Sequence, residues 1–210
     1  MRACLPRTAV AAAPEIADAG GVKRRKLLAL SLLALTGPAG VAGAAADAEP
    51  PACEAAWGYV QIVLREPGDR PDVFDTEKGV FAPEMPGPTA RWGTDSYEPA
   101  PAPPHELIQS VSAQTNALAA CPSLQARLRS AGIGFGKRAV ARALKKGRDG
   151  YFRARVHQVA LPAVSADGSQ AVLAASSAVG PLSGGGYLIH LVRGDDGRWR
   201  IAAVHGLWVS

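Results

Sequence analysis

Proton chemistry in this 210-residue chain would have to come from four histidines, His105, His157, His190 and His205, and the carboxylates Asp72, Asp75, Glu77 and Glu84. A carboxylate within hydrogen-bond reach of a histidine makes an acid/base pair, and His105 or His205 would be the partner for those acids in a cleft. Metal binding is the competing use of histidine. If 194–197 is a four-residue hairpin loop, Arg193 stands opposite Arg198, His190 opposite Ile201 and His205 opposite Gly186. The two histidines then share a face but lie about 13 Å apart, at ~3.4 Å per residue. Zinc ligands sit ~2 Å from the metal, so that register rejects a zinc pair. The histidines are expected to be sheet residues satisfied by protein partners. No cofactor and no metal are expected.

The glycine-rich stretches do not supply a catalytic motif. Gly132, Gly134, Gly136 and Lys137 approach a phosphate loop, but Ala131 and Arg138 stand where G-x-x-x-x-G-K-[ST] requires Gly and Ser or Thr. Around Ser183, Pro181 takes the first glycine position of the nucleophile elbow G-x-S-x-G, so 180–186 reads as a flexible turn between strands. Lys137, Arg138, Arg142, Lys145 and Lys146 form a basic run with Val140 and Leu144 as its apolar stripe. It is a candidate anion-binding face, for an anionic envelope component or a protein partner.

The elements that must position these groups begin after an export signal. Lys23, Arg24, Arg25 and Lys26 precede a leucine-rich segment over 27–35, then Gly37, Pro38 and small residues. That order of charge, apolar core and small-residue cleavage site is a signal peptide, expected over 22–48 with cleavage after Ala46 or Ala48. A spanning helix needs ~20 strongly apolar residues, more than this stretch holds. Residues 1–21 fit no signal and are expected to be either a start-site extension, with Val22 as the true start, or a disordered segment. Residues 49–210 are expected to form one periplasmic or secreted domain.

Export sets the redox environment. Past the signal only Cys53 and Cys121 remain, and two cysteines in an oxidising compartment read as one disulfide. Cys53 is not a lipidation site, because Pro50, Pro51 and Ala52 precede it. The charge is also modest. Residues 1–48 hold six of the 23 Lys+Arg and three of the 18 Asp+Glu, leaving 17 against 15 in the remainder. A net of +2 argues against a nucleic-acid partner.

Apolar spacing predicts helices over 53–65, 105–120, 123–130 and 137–146, the last stopped by Gly147. Residues 66–104 hold nine prolines and no apolar period, and read as a long loop pinned by Phe74, Phe81, Trp92 and Tyr97. From residue 151 the period changes to two, predicting strands over 151–161, 170–177, 187–193 and 198–209 joined by short turns. The expected fold is α+β, N-terminal helices packed on a C-terminal antiparallel four-stranded meander over 151–210.

Three patterns in that last segment carry a resemblance. They are P-x-x-S-x-D-G at 162–168, G-x-x-x-G-x-G at 180–186, and D-G-x-W at 196–199 followed by W-x-S at 208–210. The order resembles a set of small exported bacterial proteins of unknown function, over about fifty residues. The resemblance implies the meander and an envelope location. Some of those proteins carry cysteines in the glycine turn, and none stands there in this chain, so no metal or disulfide role is carried over. The final hairpin is also similar to that of nuclear-transport-factor-like cones. Two functions fit: a non-catalytic envelope module that binds its ligand through the 66–104 loop or the basic helix, or an envelope hydrolase with its cleft between that loop and the sheet.

Overall fold

The computed structural model describes residues 48–210 except 67, 81, 83, 84, 88 and 95–97. The expected signal peptide, its cleavage after Ala46, the start-site extension, Phe81, Glu84 and Tyr97 lie outside the described residues. The described residues belong to one compact unit, and among them the cores are built from residue 53 onward.

Helix α1, Pro51–Arg65, opens on a proline, whose fixed φ suits the first helical turn. It buries Cys53, Ala56, Val60 and Val63 at helical spacing. Strand β1, Asp72–Phe74, follows, and then α2, His105–Ser110, β2, Ser112–Asn116, α3, Ala117–Ala120, and α4, Pro122–Ser130. The helix expected over 105–120 is therefore cut in two by a strand. β2 pairs with β4, Arg155–Leu161, and Asn116 then caps α3 by accepting from the Leu118 and Ala119 amides. The Asn116 side-chain amide also donates to the carbonyls of Asp75 and Lys78, so one buried side chain ties the cap to the 75–78 turn. Strand β3, Gly134–Phe135, precedes α5, Lys137–Ala143. Pro162 separates β4 from the two-residue β5, Ala163–Val164. The long strands are β6, Gln170–Gly180, β7, Ser183–Arg193, and β8, Trp199–Val209.

The expected fold, helices packed on a four-stranded antiparallel meander, is overturned. The sheet is eight-stranded and mixed, in the order β3-β1-β4-β6-β7-β8, with β2 on β4 and β5 on β6. β1 runs parallel to both β3 and β4, whereas β4, β6, β7 and β8 pair antiparallel. The additional strands are two to five residues long, and three of them fall in segments whose composition reads as loop or helix. Nor is the 180–186 glycine segment a long turn. β6 and β7 extend through it and leave only Pro181 and Leu182 to turn.

Both sheet faces are covered, which explains the nearly unbroken apolar run of β6. Leu173, Ala175, Ile189 and Leu191 lie under α1, α3 and α4, in a cluster with Phe74, Leu118, Leu124 and Leu128. On the opposite face Val172, Ala174, Leu188 and Ala203 pack against Val80, Trp92, Leu107, Ile108 and Val111. The Pro-rich segment is thus the cover of the second face. Within it Trp92 is buried in that second cluster, as expected of a pin, whereas Phe74 is a residue of strand β1 and packs in the α1-side cluster instead.

Gly58 sits in the middle of α1, where alanine would ordinarily gain ~1 kcal/mol of helix propensity. Here a β-carbon would stand 2.3–2.7 Å from the Trp199 side chain. We expect Gly58→Ala to destabilise instead, by about 2 kcal/mol or more, because the packed helix cannot move away from the indole. Urea unfolding of the variant measures it, and a stabilised Gly58→Ala would show that α1 does not lie on β8.

Candidate functional site

The α1 side of the sheet holds a cavity of about 270 Å³, lined by Tyr59, Val63 and Glu66 of α1 and its cap, and by Arg155, His157, Ser177, Tyr187, Ile189, Ile201 and Val204 of the sheet. Tyr59, Val63 and Glu66 follow at helical offsets of four and three, so they share one face. Arg155 and His157 lie two apart on β4 and likewise share a face. Ser177 pairs with His157 on one side and Gly185 on the other. Glycine at 185 is what opens this row. A β-carbon there would stand 2.7 Å from the Tyr187 hydroxyl, which lies across the vacant position.

β1 delivers the carboxylate. Its parallel register sets Asp72 beside Arg155 and Phe74 beside His157. Asp72 Oδ1 accepts from His157 Nε2 at 2.8 Å and from Arg155 Nε at 2.9 Å, and the Phe74 ring stacks on the imidazole at 4.9 Å. An ionised carboxylate only accepts, so the proton of the neutral imidazole resides on Nε2 and Nδ1 is the basic nitrogen. Burial alone would raise the Asp72 pKa. The hydrogen bond and charge of His157, with Arg155, outweigh it and hold the carboxyl below its ordinary value. Burial, with Glu66 and Tyr187 adding to it, pushes the Tyr59 phenol well above its usual range and keeps it a neutral donor. Arg155 Nη2 is buried without an acceptor, beneath Gly68, where any side chain would strike it. The wall therefore presents one imidazole base, neutral hydroxyls and a guanidinium already shared with Asp72.

The acids and histidines singled out from sequence divide. Asp72 meets a histidine, but it is His157 rather than His105 or His205. Asp75 is buried and accepts from the backbone of Glu77 and Lys78. His105 is exposed on α2 and contacts Gln109. The expected register of the last hairpin is also corrected. The loop spans 194–198, so Arg193 pairs with Trp199, His190 with Ala203 and His205 with Leu188. The extra loop residue and two register shifts within β7·β8 bring His190 and His205 closer than about 13 Å, but each ring has its own partner. His190 Nε2 meets Gln170 Oε1 and His205 Nδ1 meets the Arg91 carbonyl.

No protein-family model, curated protein or solved structure matches this chain. Function must be read from the geometry.

Cys53 and Cys121 are joined as a disulfide with Cα atoms 5.6 Å apart. It fastens the first turn of α1 to the α3–α4 junction. The basic residues Lys137, Arg138, Arg142, Lys145 and Lys146 are exposed. Their helix ends at Ala143, short of Gly147, and its buried stripe is Ala139 and Ala143 rather than Val140 and Leu144. The α1 cavity is the site that sequence reasoning missed. Its signal was the pairing of Asp72-x-Phe74 with Arg155-x-His157, two short alternations that become neighbours only through a parallel contact.

Proposed function

We propose that this is an exported domain that takes a small carbonyl- or hydroxyl-bearing molecule into the α1 cavity and moves a proton on it through His157. The single observation that carries this is the 2.8 Å Asp72–His157 bond on the cavity wall. Asp72 orients the ring and fixes its tautomer, His157 Nδ1 takes or returns the proton, and the hydroxyls of Tyr59 and Tyr187 donate to the substrate oxygen. The volume of about 270 Å³ falls just below the ~300–1,000 Å³ of small-molecule sites, so the substrate is compact. Hydrolysis of a small ester or amide and a proton shift beside a carbonyl both use this arrangement.

Export is supported by the basic cluster at 23–26 with its leucine segment, and by the disulfide, which persists where thiols are oxidised. Among the described residues no helix is long and apolar enough to cross a membrane.

A panel of small esters, amides, lactones and ketones, followed by proton NMR, tests the catalytic reading. His157→Gln is expected to lower turnover by about 10²–10⁴-fold, the span of general acid–base catalysis. Lys145→Glu, at an exposed position just past α5, is expected to leave it unchanged. Turnover untouched by His157→Gln, or none on any compound class, would remove the catalytic reading.

A further inference from the structure

One end of the sheet gathers features that the α1 cavity does not use. Leu182 is 84% exposed, Val209 80%, Tyr151 45% and Leu144 44%, and these are the exposed large hydrophobic residues among the described ones. The chain brings all four to the same end. Leu182 forms the β6–β7 turn. Val209 pairs with Gly185, and the Ser210 amide donates to Gly184 beside that turn. The Tyr151 ring lies against Gly180, where a β-carbon would approach it to 3.0 Å. Leu144 caps α5 and shares a hollow of about 430 Å³ with Ala178 and Trp208.

The same end is basic. Residues 137–153 hold seven Lys and Arg against one acid, Asp149. Asp149 is taken by Arg70. Lys145, Lys146, Arg148 and Arg153 have no ion-pair partner among the described residues, and backbone bonds from Arg153 to Ala143 and Lys145 and from Phe152 to Val179 lock their loop against the β6–β7 end. Glu77 is the exposed acid that shares the hollow with Lys137.

We propose that this end of the sheet is a peripheral docking surface for an anionic phospholipid bilayer. Charge complementarity selects the occupant: an excess of free cations is drawn to anionic headgroups within a Debye length. The apolar residues select a bilayer over a soluble polyanion. The two most exposed, Leu182 on the turn tip and Val209 at the strand end, suit shallow insertion between headgroups, with Tyr151 and Leu144 half-exposed behind them. A flat protein interface would instead need one contiguous apolar face. The proposal is independent of the α1 cavity.

Cosedimentation of residues 48–210, which belong to one compact unit with its own disulfide, tests it. The probes are vesicles of phosphatidylglycerol and phosphatidylcholine in equal parts, compared with phosphatidylcholine alone. Retention on the anionic vesicles is expected to exceed that on the neutral ones by about tenfold at low salt and to collapse at high salt. The double variant Lys145→Glu, Lys146→Glu is expected to lose about tenfold, and Leu182→Asp several-fold. Both sites are exposed, so folding is preserved. Equal retention on both vesicle types, or none on either, overturns the proposal. Salt-sensitive binding that Leu182→Asp leaves unchanged also overturns it, by pointing to a soluble polyanion.

Discussion

The double variant Cys53→Ala, Cys121→Ala is expected to lose about 4 kcal/mol of folding stability in the chain-entropy treatment of a cross-link closing 68 positions. For a domain of this size that lowers Tm by about 10 °C or more. The bond ties the start of α1 to the α3–α4 junction, and both sulfurs are buried in the main core. Alanine is the right replacement, since serine would leave a buried hydroxyl without a partner. Reduction of the wild-type protein should reproduce the loss, and urea unfolding with and without reductant measures it. Equal stability in the two states would mean that the junction is held by packing alone.

Asp72→Ala is the second large effect. It removes the shared acceptor of Arg155 and His157 and strands a partly buried guanidinium whose Nη2 already lacks a partner. Breaking such a pair from one side costs about 3 kcal/mol, the lower end of the range because neither charge is fully enclosed. The interaction has a defined pH dependence. The Asp72 pKa is lower in the folded chain, so its stabilisation is fully present above the unfolded value of ~3.9. It is lost as pH falls through the folded value. The stability gap between wild type and Asp72→Asn should therefore be present above about pH 4 and close as pH falls below it. A gap that persists into acid would place the carboxylate's contribution elsewhere.

The long elements were legible because their residues repeat. Alternation located the strands that became β4, β6, β7 and β8, and helical spacing located α1 and α4. The short parallel strands were not, because two or three residues carry no period, and β1 is set by partners about 60 and 80 positions away. β2 lies hidden in a helical pattern, and only the cap formed by Asn116 marks the break. The same distance hid the site. Asp72 was visible as a carboxylate and His157 as a histidine, but nothing local pairs them across 85 positions. The hairpin register failed for a smaller reason: one extra loop residue and two register shifts move every partner after Arg193. The disulfide was readable because Cys53 and Cys121 are the only cysteines past residue 48 and so have only each other to pair with there.

The most direct measurement of the site is a long-range proton–nitrogen NMR spectrum of the histidine rings at mildly alkaline pH. His157 is expected as the Nε2-protonated tautomer, with an unprotonated Nδ1 whose resonance moves when a compound enters the α1 cavity, and with that tautomer lost in Asp72→Ala. An Nδ1-protonated His157, or a ring indifferent to the loss of Asp72, would contradict the acid–base role assigned to it.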